Sequence, residues 1–319
     1  ADADRDVAQE GAALAKADQG AILVNEFSEL QGFAAAHYAG LEGRSGEVCT
    51  AIAEQYLPEG PGSPSPSTAA AALLALAEKV DNLAGAFLIG EIPSGSKDPY
   101  ALRRAAAGLV RVALERDWDL APSQVFPPAF ARFRAQGADL ALSDDEALSE
   151  IDDFIADRLV YHLGQEGVPA DAVRAAIAAA PGGLATTAAW ARALDAHRGD
   201  EALMRGATAA TRCRKIIAKS EAGLSGFTSA GDAGEDALAT ALDAAEPAIA
   251  AARAAGEPEA AIAAAEALAA PVDAFFEAVM VNADDPAARD RRHALVRRAE
   301  AAYAGVADFA QLTTGAGDV

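Results

Sequence analysis

Apolar residues recur at spacings of three and four along most of the chain, and Gly, Pro and Asp punctuate the runs. This is the helical period. Residues 5–40 read as helical, with Val7, Leu14, Ile22, Leu23 and Phe27 apolar and Gly20 as a break. Gly40 and Gly43 mark a loop, and a short helix spans Glu47 to Tyr56. Pro58 to Pro66 is too rich in Pro and Gly for a regular element and reads as an exposed loop. Ser67 or Thr68 caps a helix that turns Leu73, Leu74, Leu76, Val80 and Leu83 toward a core. The stretch from Asp81 to Gly90 continues as a buried helix, and Pro93 to Ser96 breaks it. Asp98 and Pro99 read as the N-cap and first residue of a helix running to Arg116.

Asp117 to Asp144 contains Pro122, Pro127, Pro128 and Gly137 around a Phe126/Phe130/Phe133 cluster, and is expected to join two domains, 1–140 and 141–319. Ser143 and Glu146 then form a capping box that opens a long helix with Leu148, Ile151, Phe154, Ile155, Leu159, Val160 and Leu163 at helical spacing. Further helices are expected over Asp171–Ala180, Thr186–His197, Glu201–Lys219, Asp236–Ala255, Pro258–Asn282 and Asp285–Leu312. The last two should form an antiparallel pair, and Thr313–Val319 should fray. No repeat of fixed period is visible, and the fold class is all-α.

Composition sharpens this picture. Hydrophobic residues make up 52% of the 319 positions but aromatics only 6%, so the core is built from Ala, Leu, Val and Ile. The formal net charge is −22, which repels nucleic acid and anionic membranes in bulk and leaves RNA contact to local basic patches. No apolar run nears the roughly 20 residues that span a bilayer, and no signal peptide is visible. Cys49 and Cys213 are isolated, as expected of free thiols in a reducing cytosol. No Ser or Cys has a His partner for nucleophilic catalysis, and Gly223 to Phe227 lacks the lysine of a phosphate-binding loop.

Cation-only segments are the most informative chemistry in so acidic a chain. Lys97, Arg103, Arg104 and Arg111 form the first, beside a Gly/Ser loop suited to a phosphate. Arg205, Arg212, Arg214, Lys215 and Lys219 form the second, with no acid among them. Arg289, Arg291, Arg292, Arg297 and Arg298 form the third, interrupted only by Asp290. Helical spacing places Arg212, Lys215 and Lys219 on one face. Pairing with the many carboxylates is the competing use for every one of these side chains.

Three blocks carry a family resemblance. They are Asp81-Asn-Leu-Ala-Gly-Ala-Phe-Leu-Ile-Gly90 with Gly95-Ser-Lys-Asp-Pro-Tyr-Ala-Leu-Arg-Arg104, Glu26-Phe-Ser-Glu-Leu-Gln-Gly32 with His37-Tyr38, and Asp273-Ala-Phe-Phe-Glu-Ala-Val-Met-Val-Asn-Ala-Asp-Asp285. Together they resemble the C-terminal half of the β subunit of bacterial heterotetrameric glycyl-tRNA synthetase, so the chain is expected to be a fragment or truncated form. The resemblance implies a degenerate HD-like helical domain followed by a helical-bundle anticodon-binding domain. It also implies glycine tRNA and the α subunit as partners, a cytoplasmic location and a role in ATP-dependent aminoacylation. The chemistry is expected at the α subunit with ATP and Mg²⁺, with no catalytic residue, cofactor or metal in this chain.

Where an active HD site would place its His-Asp pair, this chain has Ala15-Lys16-Ala17-Asp18, and Lys16 would repel a cation. None of His37, His162, His197 and His293 adjoins an Asp as that chemistry needs. Asp18 and Asp81 are expected to accept hydrogen bonds inside the core. The segment Ala210–Ser220 falls where the family has an Asn-Lys-Arg-type helix, with the Asn replaced. Phe275, Phe276, Val279 and Met280 are expected to pack in the core, as are Tyr303 and Phe227, the candidates for base stacking. An HD-type metal phosphohydrolase and a helical protein-interaction scaffold remain the alternatives.

Overall fold

The structure, a computed structural model, describes residues 2–179, 182–218 and 227–312. It is all-α, with no β-strand among the described residues. Two compact units divide the chain, Ala1–His162 and Leu163–Val319.

The first unit begins with α1 (Asp2–Leu14), α2 (Ile22–Glu26) and α3 (Phe33–Leu41), joined by two 3₁₀ turns. The helical pattern over residues 5–40 is broken repeatedly in the structure. Gly32 takes a left-handed φ of 82° immediately before α3. Asp18 is buried, and its Oδ2 accepts from the N–H groups of Gly32 (2.7 Å) and Ala35 (3.1 Å), which fixes the start of α3. After α4 (Gly46–Ala53) and the Pro-rich loop, Thr68 caps α5 (Ala69–Leu88) through the N–H of Ala71 at 3.1 Å.

Helix α6 (Leu102–Glu115) starts later than Asp98-Pro99 implies. Ala101 lies at φ 54°, and Asp98 acts from a distance, accepting from the N–H of Leu102 at 2.8 Å and of Arg103 at 3.0 Å. The expected domain junction instead holds α7 (Pro122–Ala135), which runs through Pro127 and Pro128. Burial of Phe126 and Phe130 and the seating of Phe133 against Gly85 offset the backbone bonds those prolines forgo. The Ser143/Glu146 capping box is formed reciprocally, with Ser143 N donating to Glu146 Oε2 at 2.9 Å and Glu146 N to Ser143 Oγ at 3.3 Å.

The capping box opens α8 (Asp144–Gln165), whose Phe154 meets Phe87 edge-on at 5.3 Å. The helix assigned by the sequence pattern to the second domain thus lies mostly in the first unit, and the division falls near its end rather than at 140.

The second unit comprises α9 (Ala170–Ala179), α10 (Leu184–Ala196), α11 (Glu201–Ile217), α12 (Ala233–Ala255), α13 (Pro258–Ala278) and α14 (Pro286–Ala304). Alanines line the packed faces of α12 and α13, which form the most extensive helix pair, while α14 packs on α11 and α12 and touches α13 little. The expected pairing of the last two helices is therefore corrected. Trp190 is fully buried, and its indole N–H donates to Val306 O at 2.9 Å. Tyr303 is buried against Phe309, and this places it in the core. Residues 313–319, expected to fray, lie outside the described residues.

Lys79 is the unusual member of the first core. It is 2% exposed, and its ammonium donates to the carbonyls of Tyr56 (3.2 Å) and Leu57 (2.8 Å). Burial lowers its pKa to about 8 from 10.5. A Cβ on Gly108 would come within 2.6 Å of Lys79 Cε and 3.3 Å of Pro58 O, so Gly108→Ala is expected to lower stability by about 1–3 kcal/mol in urea unfolding. Lys79 also makes a pH signature. Between the folded value near 8 and the unfolded 10.5 the unfolded chain holds the extra proton, so this group adds stability as pH rises through that window. The stability of the protein relative to Lys79→Met is expected to rise by roughly 3 kcal/mol across it.

Candidate functional site

The three cationic clusters meet different fates. In the first, Arg111 is committed, donating to Glu115 at 2.8 Å and to Ser63 O at 2.8 Å. Lys97 is exposed on the loop before α6, and Arg103 reaches back to Lys97 O at 3.4 Å. Arg104 is exposed and lines an open cleft of about 870 Å³ with Tyr56, Lys79, Asn82 and Tyr100. The N–H groups at the start of α6 are already taken by Asp98, so they do not offer the phosphate cradle that the Gly/Ser loop implied. Lys79, which the helical period hid among apolar neighbours, is the cation that sequence reasoning missed here.

The third cluster is mostly internal. Glu235 has no solvent exposure, and it accepts from Arg292 Nε at 2.8 Å and Arg291 Nε at 3.2 Å. Arg292 also reaches Asp232 at 3.4 Å and Met280 O at 2.9 Å. Arg298 bridges Asp243 (2.7 Å) and Glu246 (2.8 Å), which push its pKa above the ordinary arginine value. Arg291 and Arg292, expected on the RNA face, are thus held by a buried carboxylate. Arg289 has no carboxylate partner among the described residues.

The second cluster splits. Arg214 turns to Asp308 (2.5 Å) and Glu300 (3.5 Å). Lys219 lies outside the described residues. Arg205, Thr208, Arg212 and Lys215 are exposed and recur every three or four residues, one stripe along α11. Arg205, Arg212 and Lys215 have no carboxylate partner among the described residues. Cys213, between them in sequence, faces inward, and burial pushes its thiol up to about 12, so it is no nucleophile.

Beside this stripe the guanidinium of Arg212 lies over the ring of Phe276, 4.0 Å from its centroid. The buried stripe of α13 runs through Ala261, Ala265, Leu268, Val272 and Phe275. Phe276 falls beside it and is half-buried, and Met280 is 76% exposed. The expectation that both lie in the core is corrected, whereas Phe275 and Val279 are buried as expected. The flanking position of Phe276 was readable from the three-and-four spacing of its neighbours.

The residues expected of a hydrolase, Asp18 and Asp81, do not converge. Asp18 spends its Oδ2 on backbone N–H groups and Asp81 is exposed on α5. Asp81 is therefore not the core acceptor it was expected to be.

Residues 2–178 match the family described as glycyl-tRNA synthetase beta subunit. The chain belongs to that family. Residues 207–304 match the DALR anticodon binding domain, a span that includes Arg212, Lys215 and Phe276. Curated relatives named glycine–tRNA ligase beta subunit include that of Stutzerimonas stutzeri, 38% identical over 302 residues, and that of Ectopseudomonas mendocina, 36% identical over 302 residues. Each alignment covers 94% of this chain and 43% of the relative, so the chain spans less than half the length of these glycyl-tRNA synthetase β subunits.

Glu235→Gln is expected to destabilise this family member by about 3–5 kcal/mol, since it leaves two guanidiniums beside a buried neutral group. Arg289→Ala is expected to change stability by less than about 0.5 kcal/mol, and parallel urea melts compare the two.

Proposed function

We propose that this chain is an RNA-holding part of a glycyl-tRNA synthetase β subunit and positions glycine tRNA for ATP-dependent aminoacylation by the α subunit. The observation that carries the reading is the solvent-facing stripe Arg205, Arg212 and Lys215 on α11, unclaimed by carboxylates among the described residues and largely inside the span matching an anticodon-binding domain. In a chain of net charge −22 an exposed row of cations without carboxylate partners is a local reversal of the overall field, and it offers phosphates an attractive surface. The stack of Arg212 on Phe276 adds a flat surface of the kind on which unpaired RNA bases rest. Phosphate contacts along α11 hold the RNA, and base contacts beside them select it. Lys97, Arg103 and Arg104 supply a further cationic patch in the first unit.

In this reading the chain works in the cytoplasm within the α/β heterotetramer and performs no bond-making step. ATP and Mg²⁺ act at the α subunit, and the gain from this chain is proximity, since a tRNA held in place presents its acceptor end without a fresh diffusional search.

Titration with glycine tRNA, against a transcript whose anticodon is swapped, tests the proposal. Binding is expected to weaken linearly in log–log coordinates as salt rises. Arg212→Glu and Lys215→Glu should each flatten that slope by about one unit. Phe276→Leu should weaken binding with little change in slope, by about 1–3 kcal/mol. Equal affinity for both transcripts, or a slope indifferent to Arg212 and Lys215, refutes the assignment of this face.

A further inference from the structure

We propose that His197, Asp200 and Glu266 form a binding site for a first-row divalent metal ion, with Zn²⁺ the expected occupant, in the second unit where α10, α11 and α13 meet. Nothing in the RNA reading requires it, and the two stand or fall separately.

The sequence places the donors at a corner. His197 follows the last residue of α10, and Asp200 is the residue before α11. Glu259 and Glu266 are seven residues apart on α13, two turns along one face, and both point at that corner. One ligand atom from each of His197, Asp200 and Glu266 lies within 4.8 Å of the other two. Donors about 2.0–2.2 Å from a single tetrahedral ion lie about 3.4 Å apart, so the exposed Asp200 carboxylate rotates away from His197 to admit it while Glu266 closes from the other side. His197 Nδ1 faces Asp200 Oδ2 at 2.7 Å.

Two observations beyond proximity point to a ligand. Glu266 Oε1 is shut off from solvent and has no hydrogen-bond partner among the described residues. A carboxylate oxygen in that condition lacks either a donor or a cation. Glu259 Oε2 sits 2.5 Å from His197 Nε2, on the side of the ring away from Asp200. A carboxylate behind the ring is the arrangement that orients a metal-bound histidine, because it accepts from Nε2–H and leaves the Nδ1 lone pair for the ion. The adjacent cation, Arg198, is engaged by Asp171 and Asp195.

One imidazole nitrogen with two carboxylate oxygens is a borderline donor set. It favours Zn²⁺ over Mg²⁺, which prefers an all-oxygen shell and keeps its waters. Three protein ligands converge among the described residues, so water completes the shell. The ion ties the α10–α11 corner to α13 and thereby steadies the first turn of α11, the helix that carries Arg205, Arg212 and Lys215.

Calorimetric titration of the metal-stripped protein with Zn²⁺, and separately with Mg²⁺, tests the site. One equivalent of Zn²⁺ is expected to bind, at least tenfold tighter than Mg²⁺, and to raise the melting temperature. His197→Gln and Glu266→Gln should each weaken Zn²⁺ binding more than tenfold, and Glu259→Gln by roughly tenfold through loss of the orienting carboxylate. Glu266→Gln keeps the side chain's shape, and its metal-free melting temperature reports that the fold is intact. Co²⁺ in place of Zn²⁺ should give visible absorption that both ligand variants lose. Absence of Zn²⁺ uptake overturns the proposal. So does uptake that survives both ligand variants, which would place the ion elsewhere, for example at Cys49.

Discussion

A carboxylate with no solvent exposure, Glu235, sits between the guanidiniums of Arg291 and Arg292, and much of the second unit depends on that arrangement. Glu235 is in the first turn of α12 and the two arginines are in the first turns of α14, so the ion cluster fixes one helix start against the other. Desolvating a lone carboxylate is far costlier than any single hydrogen bond recovers, and two cations together offset it. The same logic recurs at Arg298 with Asp243 and Glu246, one helical segment further along the same pair of helices. Arg291, Arg292 and Arg298 on α14 therefore hold the unit together, while Arg205, Arg212 and Lys215 on α11 face water.

That division explains how an acidic chain can present a basic surface. A net charge of −22 sets a repulsive field at long range. The Debye length is about 8 Å at physiological salt, so the field felt at contact is dominated by whatever charges lie within that radius. Local composition along the exposed side of α11 then outweighs the total, provided the carboxylates nearby are occupied elsewhere. Asp308 and Glu300 are occupied by Arg214, and Glu235 by α14.

Much of the architecture was legible in the sequence. Thr68 and the Ser143/Glu146 pair announce their helices because capping is local chemistry, settled within a few residues. Helix α7 was not legible, since local rules forbid Pro127 and Pro128 in a helix and only the distant burial of Phe126 and Phe130 overrules them. The left-handed Ala101 was hidden for the same reason, and with it the true role of Asp98. At the site, the sequence identified which segments are cationic but not which cations are spoken for. Arg291 and Arg212 look alike in one dimension, and their difference lies in Glu235, 56 residues away in the chain.

The contact between Arg212 and Phe276 would matter to any flexible partner that met this surface. A free arginine side chain samples many rotamers, and immobilising it on binding forfeits that freedom, worth about 2 kcal/mol at most. Lying flat on an aromatic ring, Arg212 has surrendered part of that freedom during folding. Its outward plane and charge are preorganised, so a loop that docks there orders itself against a surface that is already still.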